Sequence, residues 1–123
     1  MTLVLDPILE LTVPKYGENE DGNQDAFAST ARCAAVADGA SQSCFGRHWA
    51  RHLVSTFCSV AETHQIRSAR AYREFCCKWL ASAQDGWSPV LGGGALPWYL
   101  AEAAQEGAFA TFLGVVIGAS SAR

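Results

Sequence analysis

Charge is scarce in this chain. Only 17% of the 123 residues are Asp, Glu, Lys or Arg, and the formal net charge is -3 with a pI near 5.5. The nine Lys and Arg are scattered, so no basic surface is expected for phosphate backbones and nucleic-acid binding is not expected. A basic leading segment is also missing. The N-terminal stretch MTLVLDPILELTV is apolar, but Asp6 and Glu10 interrupt it, so it reads as mature protein rather than as a signal peptide. The uncharged run from Gly107 to Ala122 contains polar residues and falls short of the roughly 18 consecutive apolar residues of a membrane span. No association with a membrane is expected.

Other chemistries are excluded by missing partners. The five cysteines are an odd set without C-x-x-C spacing. Cys76 and Cys77 are adjacent in a helical pattern, where their thiols diverge by about 100°. Reduced, mostly buried thiols in a cytoplasmic protein are the expectation. Ser41 and Ser43 have no Gly-x-Ser-x-Gly elbow around them. The glycines of Leu91 to Gly94 lack the following Lys-Ser/Thr of a phosphate loop. His48 and His52 have the i, i+4 spacing of a zinc pair but no third ligand nearby, so they read as helix surface. No internal repeat is visible.

What is present is apolar patterning. Half of the residues are hydrophobic and the mean hydropathy is +0.07, enough for one domain with a core. ILELTV, residues 8–13, reads as a first strand followed by a polar loop. DAFAS and RCAAVAD read as two further strands joined by Thr30-Ala31, without the Asn-Gly or Asp-Gly of a tight hairpin turn. From Phe45 the period lengthens: Phe45, Trp49, Leu53, Phe57 and Val60 form one face of a helix that Ser41 or Ser43 would cap. Tyr72, Phe75, Cys76, Trp79, Leu80 and Ala83 form a second stripe. Asp85 to Pro97 reads as a glycine-rich loop, Pro97 to Gln105 as a third helix, and Gly107 as its end. The apolar run AFATFLGVVIG reads as a buried strand, covered on both faces and paired on both edges.

Two carboxylate motifs bracket the expected hairpin, Asn23-Gln24-Asp25 before it and Asp38-Gly39 at its end. A carboxylate at a strand end followed by glycine suits a metal ligand, and Asp-Gly equally makes an ordinary turn. The order of features resembles the metal-dependent serine/threonine phosphatases of the PPM (PP2C) family, in particular bacterial members. Its elements are Asn23-Gln24-Asp25 leading into a strand, a strand ending in Asp38-Gly39, two helices, and a strand entered through the Gly-x-x-x-Thr pattern of Gly107 to Thr111. The likeness covers the chain from about Gly17 onward.

The resemblance implies an α+β fold, the N-terminal part of a four-layer α-β-β-α sandwich of antiparallel sheets. It also implies phosphomonoester hydrolysis by a water bridging two Mn²⁺ or Mg²⁺ ions about 3.5–4 Å apart. Carried over, Asp38 would bridge the ions, the Gly39 carbonyl would hold one of them directly or through water, and Asp25 would orient metal-bound water. Gln24 stands where many relatives have glutamate near the metals, keeping an oxygen but losing a charge. The implied partners are a phosphoprotein substrate and a cognate serine/threonine kinase system. Three departures accompany these: Glu20 stands where eukaryotic members have a phosphate-gripping arginine, Ala40 where some relatives have histidine, and Arg123 comes before the family's remaining metal aspartates. The expectation is therefore a partial domain, residues 1–123, with impaired or negligible activity by itself and self-association through the strand at 109–117. A non-catalytic partner-binding relative, or an unrelated small α+β protein whose two motifs are turns, remain as alternatives.

Overall fold

The computed structural model describes residues 23–40, 45–92 and 105–118, together with Val4, Leu11, Val13, Trp98 and Glu102. Strands β1 (Asp25–Ser29) and β2 (Cys33–Gly39) come first. Helices α1 (Gly46–Glu62) and α2 (Ala69–Gly92) follow, and strand β3 (Ala110–Val116) closes the order. The three strands form one antiparallel sheet in the order β1-β2-β3. This is the expected α+β class, in two layers: helices on one face of a sheet.

The hairpin forms without Asn-Gly because Thr30 supplies the turn chemistry. Its hydroxyl accepts from the backbone N–H groups of Arg32 (3.3 Å) and Cys33 (3.2 Å), and its own N–H donates to the Cys33 carbonyl at 2.8 Å. Alternation along the strands then sends Cys33, Ala35 and Ala37 to the helical face, where all three are buried. These small side chains let α1 lie close. A Cβ added at Gly39 would sit 2.5 Å from the Gly46 carbonyl oxygen, so backbone meets backbone there.

The buried face of α1 is Gly46, Ala50, Leu53, Val54, Phe57, Cys58 and Ala61. It is centred on smaller residues than the aromatic stripe expected from the sequence, and Phe45, Trp49 and Val60 are only half-buried. Phe57 is the hub of the core. Its ring meets Phe75, Trp79 and Phe112 edge-on at centroid distances of 5.3, 5.1 and 5.0 Å. Beneath it lies Gly114, where an added Cβ would come 2.6 Å from the Phe57 ring. The Trp79 indole N–H donates to the Leu53 carbonyl at 2.9 Å, tying α2 to α1.

Several expectations are corrected. The cap of α1 is neither Ser41 nor Ser43 but Phe45, in the left-handed region at φ 59°, with no side-chain hydrogen bond. The ring that stands there is held by contacts with His48 and Trp87. Of the second stripe, Phe75 and Ala83 are buried, whereas Tyr72 and Leu80 are exposed. Nor does α2 stop before Asp85: it continues through Gly86 and Trp87 to Gly92. The physical reason is Trp87, whose ring packs against Phe45, Trp49 and His52 of α1 at 6.0, 5.7 and 6.3 Å. That burial outweighs the turn preference of Asp-Gly. At its start α2 is capped by Ser68, whose hydroxyl accepts from the Ala71 N–H at 3.1 Å.

β3 pairs only with β2 among the described residues, so it is an edge strand there rather than a central one. It alternates: Phe112 and Val116 pack on the core while Thr111, Leu113 and Val115 are exposed. The first strand expected at 8–13 lies mostly outside the described residues, and its Leu11 and Val13 are exposed and in neither helix nor strand. The loop that follows it lies outside them as far as residue 22. Of the third helix, Trp98, Glu102, Gln105 and Glu106 are helical, and Gly107 at φ +87° follows them. Among the described residues no helix is long and apolar enough to cross a membrane.

Phe57→Ala is expected to destabilise the fold by about 3–5 kcal/mol, read as a lower urea midpoint. An unchanged midpoint would contradict the hub. A second expectation concerns the buried thiols of Cys33 and Cys58. Burial, with Cys33 alongside, pushes the Cys58 thiol from its ordinary 9.0 up to about 12. The folded state thus favours the neutral thiol, and its contribution is complete below about pH 9 and lost as pH rises towards 12. The denaturation midpoint should fall across that window, and less steeply in Cys58→Ala.

Candidate metal centre on the open sheet face

Asp25 opens β1 and Asp38 nearly closes β2, and the register makes them direct partners. The Gly39 N–H donates to the Gln24 carbonyl at 3.0 Å, which makes 24/39 a hydrogen-bonded pair and 25/38 the neighbouring pair without such bonds. In that kind of pair the opposed side chains stand closest, with Cα atoms about 4.5 Å apart. Both carboxylates are exposed on the face away from the helices. They line one hollow of about 610 Å³ with Phe27, Val36, Thr111 and Leu113. The Asp25 and Asp38 carboxylates thus share one solvent-accessible hollow.

The sheet adds a third member to this row. Asp38 pairs with Thr111 of β3, so Asp25, Asp38 and Thr111 lie side by side across three strands, spaced by about 4.8 Å per step. Sequence reasoning did not place Thr111 at the site. The Gly-x-x-x-Thr spacing was the available signal, but it becomes positional only once the β2–β3 register is known.

Asn23 and Gln24 do other work. The Asn23 side-chain oxygen accepts from the Asp25 N–H at 3.1 Å, an Asx turn that aims the start of β1. Gln24 is one residue from Asp25 and so turns to the helical side, half-buried. In the orientation that satisfies its carboxamide, the nitrogen donates to the carbonyls of Gly39 (3.2 Å) and Ala40 (3.1 Å). The structure thus brings Asp25 and Asp38 together in the hollow, and sets Gln24 against Gly39 on the helical side, off its lining. Gly39 is also required by packing, since the first turn of α1 leaves no room for a side chain.

Chemically, two carboxylates directly opposed on a sheet repel each other. A hard divalent cation would remove that repulsion, and oxygen ligands of this type suit Mg²⁺, Mn²⁺ or Ca²⁺. Among the described residues no three His, Cys, Asp or Glu side chains converge on one point. His48 is exposed on α1, and His52 is half-buried against Trp87.

No family model, curated protein or solved structure matches the chain.

In metal-free buffer Asp38→Asn is expected to raise the unfolding midpoint slightly, by a few tenths of a kcal/mol in stability, because it relieves the opposed charges. A lower midpoint would mean that the Asp38 carboxylate is satisfied by a partner of its own.

Proposed function

We propose that the chain is part of a PPM-type phosphatase domain, and that Asp25 and Asp38 are the carboxylates around which its divalent metals gather. The single observation that carries this reading is the register that sets Asp25 directly opposite Asp38 on an open face. The order of elements supports it as well: the two motifs, two helices and a strand entered through Gly107 and bearing Thr111. One face of the sheet is covered by helices while the other carries exposed Val36, Leu113 and Val115. In a four-layer sandwich that second face would meet a second antiparallel sheet.

In this reading Asp38 and the Gly39 carbonyl would hold Mn²⁺ or Mg²⁺ and Asp25 would orient water, while Gln24, turned to the helical side, would act only through its hold on the Gly39 and Ala40 carbonyls. When bound, the ions would supply an activated water and neutralise the phosphoryl oxygens of a phosphoserine or phosphothreonine substrate. The protein's own residues would hold and orient: Asn23 fixes the approach of Asp25, and the sheet fixes the carboxylate separation. The phosphoprotein, the cognate kinase system and a cytoplasmic location belong to the same proposal. Four described cysteines, all free thiols, accord with a reducing compartment.

A second reading is a non-catalytic module that binds a protein partner, and it is favoured by one feature. Leu113 is 72% and Val115 51% exposed on an edge strand, which is surface of the kind that associates with another chain or another copy.

Calorimetric titration with Mn²⁺ separates the readings. The metal-site reading expects weak binding, with a Kd on the order of 10⁻⁴–10⁻³ M for so few charged ligands, abolished in Asp38→Ala. With it goes negligible turnover of p-nitrophenyl phosphate by the chain alone. Binding that survives both Asp25→Ala and Asp38→Ala would remove the metal site. Strong Mn²⁺-dependent hydrolysis lost in Asp38→Ala would remove the partial-domain reading instead.

A further inference from the structure

A second hollow, of about 370 Å³, is lined by core residues of the helical side of the sheet and by none of the carboxylates. It is bounded by the end of β3 at Val116, by Tyr72, Phe75 and Trp79 of α2, and by Phe112. Its size is at the lower end of the roughly 300–1,000 Å³ typical of small-molecule sites. Its walls are mainly aromatic rings, already locked: Trp79 lies 4.5 Å from Phe112 and is anchored through its indole N–H to the Leu53 carbonyl.

Among the described residues the only charged side chain on the lining is Arg32. The backbone of Arg32 is pinned on both sides. Its N–H donates to the Thr30 hydroxyl at 3.3 Å, and its carbonyl accepts from the Ile117 N–H at 2.7 Å, just past the end of β3. The side chain is half-buried, and its Nε is enclosed without a hydrogen-bond partner. An Nε–H held out of water without an acceptor is costly. An anion that brought one oxygen to Nε and the other to an outer nitrogen would relieve that cost through charge-assisted hydrogen bonds.

We propose that this hollow binds a small amphipathic monoanion, a carboxylate on a flat aromatic body, with the rings of Trp79, Phe75 and Phe112 around the body and Arg32 on the carboxylate. One fixed cation on an apolar lining favours a single negative charge over a phosphate dianion. Aromatic walls favour a flat body, because rings prefer offset or edge-on neighbours. The site is independent of the metal reading and shares none of its carboxylates.

The test uses the whole chain, with naphthalene-2-carboxylate and its uncharged carboxamide as probes, followed by calorimetry and by the indole N–H resonances in ¹⁵N spectra. The expected result is saturable binding of the acid, at least tenfold weaker binding of the carboxamide, and a shift of the Trp79 indole resonance without a shift of exposed Trp98. Arg32→Gln, checked for an unchanged far-UV circular dichroism spectrum, should abolish the preference for acid over amide. If that variant does not fold, the acid-to-amide ratio and the Trp79 shift on the unmodified chain decide. Equal binding of acid and amide, no saturable binding of the acid, or binding that leaves the Trp79 resonance in place would overturn the proposal. So would an Arg32→Gln chain that is folded and still prefers the acid.

Discussion

Everything in this fold rests on how closely α1 can lie on the sheet. At one end the carbonyl of Gly46 meets the backbone of Gly39, and further along the ring of Phe57 lies on Gly114. Neither approach tolerates a Cβ. Between these points the facing surfaces are small: Ala35 and Ala37 on the sheet, Ala50 and Ala61 on the helix. With so few large side chains to fill the space, separation and lateral position are set by backbone and glycine rather than by interdigitation, and a shift along the helix would produce overlap. Register follows from this, because slipping a strand by one residue would turn its small residues to solvent and its outer residues into α1.

Fixing the helical face also fixes the other one. Because β2 must present Cys33, Ala35 and Ala37 inward, it must present Val36 and Asp38 outward. The same holds for Phe112 and Gly114 against Thr111, Leu113 and Val115 in β3. The row of Asp25, Asp38 and Thr111 is therefore a consequence of core packing rather than of anything the carboxylates do for one another. Left alone they repel. The juxtaposition is held by packing elsewhere, and it is the support for the proposed cation at that position. Apolar Leu113 and Val115 on the same face make a similar point, since exposed surface of that kind lacks its complement.

Much of the fold was legible in the sequence because it follows from local periodicity. Strands at DAFAS and RCAAVAD, a helix from Phe45 onward and a strand near Thr111 all appear as expected. Failures cluster where a tertiary contact overrides a local preference. Asp85-Gly86 looks like a turn, yet Trp87 has three aromatic partners on α1 and keeps the helix intact. Ser41 and Ser43 look like caps, yet the position is taken by Phe45, whose ring also meets Trp87. The apolar run at β3 looks buried on both faces, but composition cannot say which strands lie beside it. At the site, the Asp25–Asp38 juxtaposition was readable because a hairpin links the two motifs directly. Thr111 was not, being separated from them by both helices.

Arg32 shows how the same constraint reaches the opposite end of the sheet. The Thr30 turn that starts β2 in register also sets the Arg32 carbonyl against the Ile117 N–H, closing the β2–β3 ladder one residue beyond the strands. A backbone held on two sides leaves the side chain little choice of origin, and from that origin it reaches the hollow bordered by Trp79 and Phe112. The two ends of one sheet thus have opposite electrostatic character, carboxylates on the open face at one end and a guanidinium on the helical face at the other. At 17% charged residues the chain has few charges to spare. Two of its carboxylates face each other, and the Nε of one guanidinium is enclosed without an acceptor. Both placements follow from strand register, and in each a ligand of opposite charge would be a complement.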